Sequence, residues 1–274
     1  KLVTTIKTHI NIPTIDGLPK SDLIPNGYFN ILFTSEGRIG ALTLYKIVEH
    51  MNQYPKKYKD INIISITAGV AQVRSIINKF RNVKKTYYER LPLSEFYSVV
   101  KSVDMVLSPG EIGDLDYMIP KEMQQNWLDS KSCVKYTLAG AASIPCIVSA
   151  DMREYRQAVK QGETGFIASS LEEWIKYIDL LHEDKELRER IGKEARRDME
   201  ENYHVSKRAL EMLEVINGKP KIKVKDQKRV WLPPIAGGPR TFHDTLEKYL
   251  PIVSSEKMVV TGVLDKSVES AIVV

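Results

Sequence analysis

Short apolar segments alternate with segments of helical periodicity along most of this chain. The clearest apolar segments are Phe29–Thr34, Ile61–Ile66, Asp104–Pro109 and Pro145–Ser149. Segments that are almost continuously apolar are typical of parallel strands whose sheet is covered on both faces. Strands that alternate in this way with helices of about ten residues predict βα units. We therefore predict one doubly wound, Rossmann-like α/β domain with a parallel sheet over residues 28–217.

Turn-forming residues and charge divide the rest of the chain. Residues 1–27 contain several Pro and Gly residues and little periodicity, which predicts an extended lead-in segment. Residues 110–130 are polar and predict a long loop with room for one helical turn. Repeated lysines over residues 218–229 predict a solvated basic linker, since no amphipathic stripe that would favour a nucleic acid or a membrane accompanies them. Residues 230–274 predict the start of a second, partial Rossmann-like βαβ unit.

Composition excludes several classes of protein. The 40 Lys and Arg residues exceed the 35 Asp and Glu residues by five, a weaker excess than nucleic-acid binders show. No apolar run approaches the roughly 20 residues that span a bilayer, and no signal peptide is visible. Two cysteines are too few for a disulfide scaffold, so we expect a cytoplasmic protein. Attachment to the inner face of the membrane stays open.

The segment Asp129–Tyr136 predicts the start of a helix that could hold an anion. Asp129, Ser130 or Ser132 can cap this helix, and the first N–H groups and the dipole of the helix would face an anion at that end. Lys131 and Lys135 are four residues apart on one helical face and add positive charge. The pattern fits a diphosphate cradle. A capped surface helix with solvated lysines fits it equally well.

Two blocks of residues carry a resemblance to a known family. The first contains Lys131-Ser132, Lys135-Tyr136, Pro145, Ile147 and Ser149, and the second is Gly162-Glu163-Thr164-Gly165. Together they resemble the C-terminal, donor-binding domain of the GT-B glycosyltransferases, in the large retaining family called group 1. The resemblance covers about residues 28–217.

The resemblance implies a site for a nucleoside diphosphate sugar, as substrate rather than cofactor, and implies that no metal is needed. In this family the first loop binds the diphosphate, which points to Gly37 and Arg38. The helix start points to Ser132 and Lys135. Glu111 follows a predicted strand, where an acidic group could contact a sugar hydroxyl; a solvated acidic loop is the alternative.

The chain departs from the family at three positions. The family places two glutamates eight residues apart, for the donor sugar and for the ribose, where this chain has Ser130 and Leu138. The family's glycine before the next strand is Ser143 here. Leu138 therefore stands at the ribose position with a side chain that accepts no hydrogen bond.

The implied activity is transfer of a sugar from a nucleoside diphosphate donor to a glycan or lipid-linked acceptor, as in polysaccharide biosynthesis. A catalytically silent GT-B-like scaffold or partner-binding domain is the alternative, and Ser130 and Leu138 favour it. A Rossmann-like epimerase is disfavoured because no complete glycine fingerprint is present. Residues 230–274 are too few for an acceptor-side domain, and the chain begins with Lys1 rather than Met. We therefore expect a missing acceptor-side domain, and no nucleic-acid partner.

Overall fold

The structure is a computed structural model. It describes residues 2–5, 10, 12–35, 40–67, 71–81, 83–110, 121–207 and 209, and the strand residues 228–231, 258–261 and 270–273. The chain forms two compact units: Ile10–Asn202, called the larger unit below, and Lys1–His9 together with Tyr203–Val274. Elements are numbered along the chain, so that the first strand, β1, is Leu2–Thr5 and the first helix, α1, is Ile12–Asp16.

The larger unit is built on a six-stranded sheet in which every pair of neighbours is parallel. Its strands are β2 (Phe29–Ser35), β3 (Ile61–Thr67), β4 (Lys84–Tyr88), β5 (Met105–Ser108), β6 (Cys146–Ser149) and β7 (Phe166–Ala168). Their order is β4-β3-β2-β5-β6-β7, which reverses direction between β2 and β5. This is the strand order of a doubly wound nucleotide-binding fold, so the predicted fold class is confirmed.

Helices connect these strands and cover both faces. They are α2 (Ala41–Gln53), α3 (Ala71–Asn78), α4 (Leu93–Val100), α5 (Lys121–Asp129), α6 (Val134–Ala141), α7 (Arg153–Ala158), α8 (Leu171–Glu183) and α9 (Lys185–Asp198), and a π-helical turn, Met199–Tyr203, follows α9. The helix predicted over residues 205–216 lies mostly outside the described residues.

Helix α5 corrects the prediction of a long loop over residues 110–130. Its nine residues place Gln124 and Leu128, one turn apart, on a side that is almost completely buried. A polar Gln at one of the two buried positions hides the apolar periodicity by which a sequence indicates a helix. The residues 111–120 that precede α5 lie outside the described part of the chain.

The main core lies between the sheet and three of its helices. Ile31 and Phe33 of β2, Ile63 of β3 and Leu107 of β5 are fully buried, and side chains of α2, α3 and α8 cover them. Burial of apolar side chains is the dominant favourable contribution to folding, which explains why these strands are almost continuously apolar. The prediction of a sheet covered on both faces is therefore correct.

A line of buried polar side chains crosses three strands of the same sheet. Asn62 donates from Nδ2 to Asn30 Oδ1 at 2.9 Å, and Thr86 Oγ1 donates to Asn62 Oδ1 at 3.3 Å. Asp104, just before β5, accepts the backbone N–H of Asn30 at 2.8 Å. A slip in strand register would leave these groups buried without partners, so the line fixes the register.

The lead-in predicted over residues 1–27 contains more structure than an extended segment. Ile12 and Ile15 of α1 are buried in the larger unit. Lys101 Nζ donates to the Leu18 carbonyl at 2.5 Å, and Arg196 holds Asp16 through two N–O contacts of 2.8 Å. A helix of five residues is too short to be stable alone, and these contacts supply its stability.

The other unit contains a four-stranded parallel sheet in the order β1-β10-β8-β9. Its remaining strands are β8 (Lys228–Trp231), β9 (Met258–Thr261) and β10 (Ser270–Val273). Residues 230–274 contribute strands to this sheet, and the predicted lead-in supplies a further strand, β1. That residues 230–274 start a second Rossmann-like unit stays a prediction. The basic linker over residues 218–229 lies outside the described residues, apart from its last two residues, which belong to β8.

Helices α6 and α9 approach each other unusually closely. A Cβ on Gly192 of α9 would lie 2.1 Å from the carbonyl oxygen of Ser143, which follows α6. Ser143 has a φ of 59° and is the one described residue other than glycine with a positive φ. The family resemblance places a glycine at this position, which suits the left-handed backbone.

We expect Gly192→Ala to lower the free energy of unfolding by at least about 2 kcal/mol, because the added methyl group overlaps backbone atoms that cannot move aside. Gly17→Ala is the matched control, since its Cβ would lie 3.5 Å from the Pro13 carbonyl oxygen, an ordinary contact. We expect the control to stay within about 1 kcal/mol of the wild type. Urea denaturation of both variants measures the difference, and equal stabilities would contradict the close approach.

We expect the contribution of Asp16 to stability to disappear in acid. The Arg196 guanidinium lowers the pKa of Asp16 below its ordinary value of 3.8. A carboxylate with a lowered pKa stabilises the fold fully above its unfolded value and loses that contribution as the pH falls through the folded value. The melting temperatures of the wild type and Asp16→Asn should therefore differ at pH 7 and converge as the pH falls well below 3.8. Asp22→Asn, at an exposed site in the same segment, should show no such convergence.

Candidate functional site

The carboxyl ends of β2 and β5 lie side by side at the point where the strand order reverses. In open α/β sheets the ligand crevice opens at this point. The loop after β2 leads into α2, the loop after β5 leads toward α5, and the loop after β6 leads into α7. We therefore take this edge of the sheet as the candidate site.

The first two of these loops meet at Gly40 and Pro109. Gly40 begins α2 with a φ of 79°, and a Cβ there would lie 2.6 Å from Pro109 Cγ and 2.8 Å from the Pro109 carbonyl oxygen. Both the left-handed backbone and the contact require glycine at this position. The start of α2 is thereby held against the end of β5.

Hydrogen bonds from α7 and from β6 hold the end of β5 and the residues after it at this edge. The hydroxyls of Tyr155 and Ser108 share a hydrogen bond of 2.5 Å at the end of β5, and both residues are buried. Burial raises the pKa of Tyr155 well above its ordinary value, so its hydroxyl keeps its proton. Ser149, at the end of β6, donates from Oγ to the Gly110 carbonyl at 2.8 Å.

The neighbouring residue, Glu154, reaches the start of α6. Its carboxylate accepts the backbone N–H of Cys133, the N-cap residue of that helix, at 2.5 Å. A negative group is favourable there because unsatisfied N–H groups and the helix dipole give the end of the helix a partial positive charge. The N-cap residue is Cys133 rather than Asp129, Ser130 or Ser132, and no side chain of the cap residue bonds to the helix, which corrects the predicted cap. The group that the helix start holds is a carboxylate of the chain itself, and binding of a diphosphate there stays a prediction.

The structure brings two of the six predicted site residues together at the start of α6. Ser132 is exposed and Lys135 is half-buried. The positive charge of Lys135 lowers the pKa of the Cys146 thiol, whereas burial raises it. The effect of burial is larger, and the pKa of Cys146 rises to about 12.

Leu138 lies one turn further along α6 and is 7% exposed. A buried position on the helix suits a packing role, and contact with a ribose stays a prediction. The remaining predicted residues, Gly37, Arg38 and Glu111, lie outside the described residues. In the chain they follow β2 and β5, the two strands that are adjacent at the candidate site.

Sequence reasoning did not identify Glu154 or Tyr155 as part of this edge. The available signal was an acidic and an aromatic residue five and six positions after a strand that ends in Ser149. Their partners, Cys133 and Ser108, are 21 and 47 residues away in the chain, so the contacts depend on the order of the strands.

The described residues contain no group of three or more His, Cys, Asp or Glu side chains that could hold a metal ion. Among the same residues, no helix combines the length and the hydropathy needed to cross a membrane. A shallow groove of about 540 Å³ runs along α8 beside His50 of α2. It shares no residue with the start of α6.

Part of the chain matches a known protein family. Residues 137–198 match the family model described as Glycosyl transferases group 1. The match begins at Thr137, within α6, and ends with α9. A comparison with curated protein sequences found no match.

Several solved structures share the fold. Sucrose-phosphate synthase from Thermosynechococcus elongatus has a TM-score of 0.57 at 16% identity, over 77% of this chain and 51% of that one. A variant of TarM from S. aureus, in complex with fondaparinux, alpha-GlcNAc-glycerol and UDP, has a TM-score of 0.56 at 13% identity, over 80% of this chain and 40% of that one. The C-terminal domain of a group 1 family protein (LpcC) from Francisella tularensis has a TM-score of 0.50 at 14% identity, over 72% of this chain and 99% of that domain.

These similarities concern the fold, and they are consistent with half of a GT-B enzyme. The chain spans only about half of the synthase and less of TarM, whereas its match includes almost the whole of the isolated C-terminal domain. The predicted resemblance to group 1 glycosyltransferases is thus supported by a family match and by structural neighbours. The retaining mechanism and the pair of glutamates stay predictions.

We expect Tyr155→Phe and Ser108→Ala each to cost about 1–3 kcal/mol, because each leaves one buried hydroxyl without its partner. The double variant should cost clearly less than the sum, since neither hydroxyl then remains unsatisfied. Urea denaturation of the four proteins gives the coupling free energy. A coupling of zero would show that the two hydroxyls do not interact.

Proposed function

We propose that the larger unit binds a nucleoside diphosphate sugar at the carboxyl edge of its sheet, as the donor-binding half of a glycosyltransferase. The observation that carries this proposal is the family match over residues 137–198, which begins at Thr137 within α6, directly after the start of the candidate helix, in a unit whose sheet has nucleotide-binding strand order. Transfer of a sugar to an acceptor is the general activity that the family match and the structural neighbours support.

The chemistry at the donor depends on stabilising the departing diphosphate. As the bond to the sugar breaks, negative charge develops on the leaving phosphate, and positioned cations and dipoles lower the free energy of that state. Lys135 and the first turn of α6 are suited to this role, with Ser132 as a hydroxyl donor at the same end. Arg38, in the loop after β2, is the proposed second cation.

Glu154 limits how this end of α6 can act. Because its carboxylate holds the Cys133 N–H, a phosphate oxygen has to bind beside Glu154 or displace it. The cationic side chains therefore have to outweigh a nearby negative charge. We propose that Lys135 makes the principal phosphate contact and that the first amide of the helix does not.

The donor is a substrate in this proposal, and no cofactor is invoked. Protein cations and a helix dipole would balance the charge of the diphosphate, so we propose a reaction that proceeds without a metal ion. UDP is the first nucleotide to test, because the TarM variant was solved with UDP. We also propose, from the sequence alone, a cytoplasmic location with attachment to the inner face of the membrane. The identity of the sugar and of the acceptor is not part of the proposal for the donor site.

Acceptor binding requires a second domain that faces the donor site across a cleft. In a two-domain transferase, closure excludes water and aligns the acceptor with the donor. The solved transferases that this chain matches are longer than it, apart from the isolated domain. We propose a glycan or lipid-linked acceptor and an acceptor-side domain that residues 1–274 do not supply in full.

We expect Lys135→Ala to weaken UDP binding by about tenfold or more, because a charge-assisted contact to phosphate contributes about 1.5–3 kcal/mol. Isothermal titration calorimetry on the full chain gives the dissociation constants. Lys193→Ala, at an exposed site on α9, is the matched control and should bind as the wild type does.

Two results would count against the proposal. Equal affinities of the wild type and Lys135→Ala would remove Lys135 from the site. Absence of binding to UDP and to the other common nucleoside diphosphates would reject the donor site as a whole.

A catalytically silent domain is the second candidate function, and Leu138 favours it. The family has a glutamate at this position, whereas the side chain here is apolar and 7% exposed. Hydrolysis of a bound nucleotide sugar distinguishes the candidates. If the chain binds nucleotide sugars but neither hydrolyses nor transfers any donor of a panel, the silent domain is favoured.

A further inference from the structure

The chain passes between its two compact units at two places. It enters the larger unit at Ile10 and leaves it after Asn202. The first element after the entry is α1, and the last element before the exit is the π-helical turn Met199–Tyr203. In the sequence, almost the whole length of the larger unit separates these two crossings.

One arginine contacts the elements at both crossings. Arg196, near the end of α9, donates from Nη1 and Nη2 to the two carboxylate oxygens of Asp16, each at 2.8 Å. Its Nε donates to Glu200 Oε1, within the π-helical turn, at 2.7 Å. Its Nη1 also donates to the carbonyl oxygen of Ala141, the last residue of α6, at 2.6 Å.

These contacts use the fork geometry of arginine. The guanidinium faces two carboxylates and a carbonyl at the negative end of a helix dipole, and its side chain is only 21% exposed. The two carboxylates raise the pKa of Arg196 further above its already high value, so its charge is permanent. A lysine would provide the charge but not the paired N–H groups that match Asp16.

Each crossing is also anchored separately in the core. Ile12 and Ile15 of α1 are buried, and Lys101 holds the carbonyl of Leu18 just beyond α1. On the exit side, buried Asp198 accepts from Tyr136 of α6 and from Asn202. Loss of Arg196 would therefore loosen the two elements without detaching them.

We propose that Arg196 is a clasp that joins the two crossings, so that α1 and the π-helical turn open together rather than independently. Without the clasp, each crossing would open and close independently, limited only by its own anchors. The inference does not depend on the proposed function, because all four contacts lie within the larger unit. A π-helical turn at the exit fits such a role, since these turns occur often at functional positions.

Hydrogen exchange of the full chain, followed by mass spectrometry, tests the clasp. In Arg196→Met, amides of residues 10–18 and of 197–203 should both exchange faster, by about three- to tenfold, as expected for loss of a paired charge network. Arg196→Lys, which keeps the charge, should give an intermediate increase. Arg197→Met is the control, because Arg197 pairs with Glu194 and contacts neither crossing.

Asp16→Asn decides whether the crossings are coupled. The substitution alters only the entry side, at an exposed carboxylate, so folding should be retained. If Arg196 is a clasp, exchange at residues 197–203 should also become faster in this variant. Faster exchange confined to residues 10–18 would overturn the proposal, as would unchanged exchange at both crossings in Arg196→Met.

Discussion

Parallel pairing of strands that are buried on both faces is the constraint on which the rest of this structure depends. Successive strands of such a sheet cannot be joined by a hairpin, so each connection crosses a face, and all the carboxyl ends meet at one edge. In the larger unit this brings the loops after β2, β5 and β6 together, although they are far apart in the chain. The candidate site exists because of this order.

The parts of the fold that the sequence predicts well are those in which local pattern and burial agree. The strands β2, β3 and β6 are almost continuously apolar, and their positions follow directly from that pattern. Helix α5 escaped prediction because Gln124 occupies a buried position, and β1 did because it pairs with β10 from the opposite end of the chain. Pairing across such a distance has no local signal.

In the candidate site too, local features can be predicted from the sequence, whereas contacts between distant segments cannot. The sequence predicts that the start of α6 suits an anion, since the helix dipole is a local property of a helix, and the binding of a phosphate there stays a prediction. It does not indicate that Glu154 already holds an N–H there, because that contact depends on where α7 lies after the next strand. The site therefore combines a predicted cationic helix end with an acidic side chain that only the folded structure reveals, and the two together determine how strongly a phosphate can bind.

The burial of Cys133 and Cys146 has a consequence for chemical labelling. Cys133 stands at the start of α6 and Cys146 in β6, and both thiols are buried and neither belongs to a disulfide. A buried thiol with a raised pKa is almost entirely protonated at neutral pH and reacts slowly with alkylating reagents. Modification of Cys146 thus requires the sheet to open around β6, whereas Cys133 needs only α6 and its surroundings to move. The relative labelling rates of the two thiols distinguish local opening at the candidate site from global unfolding.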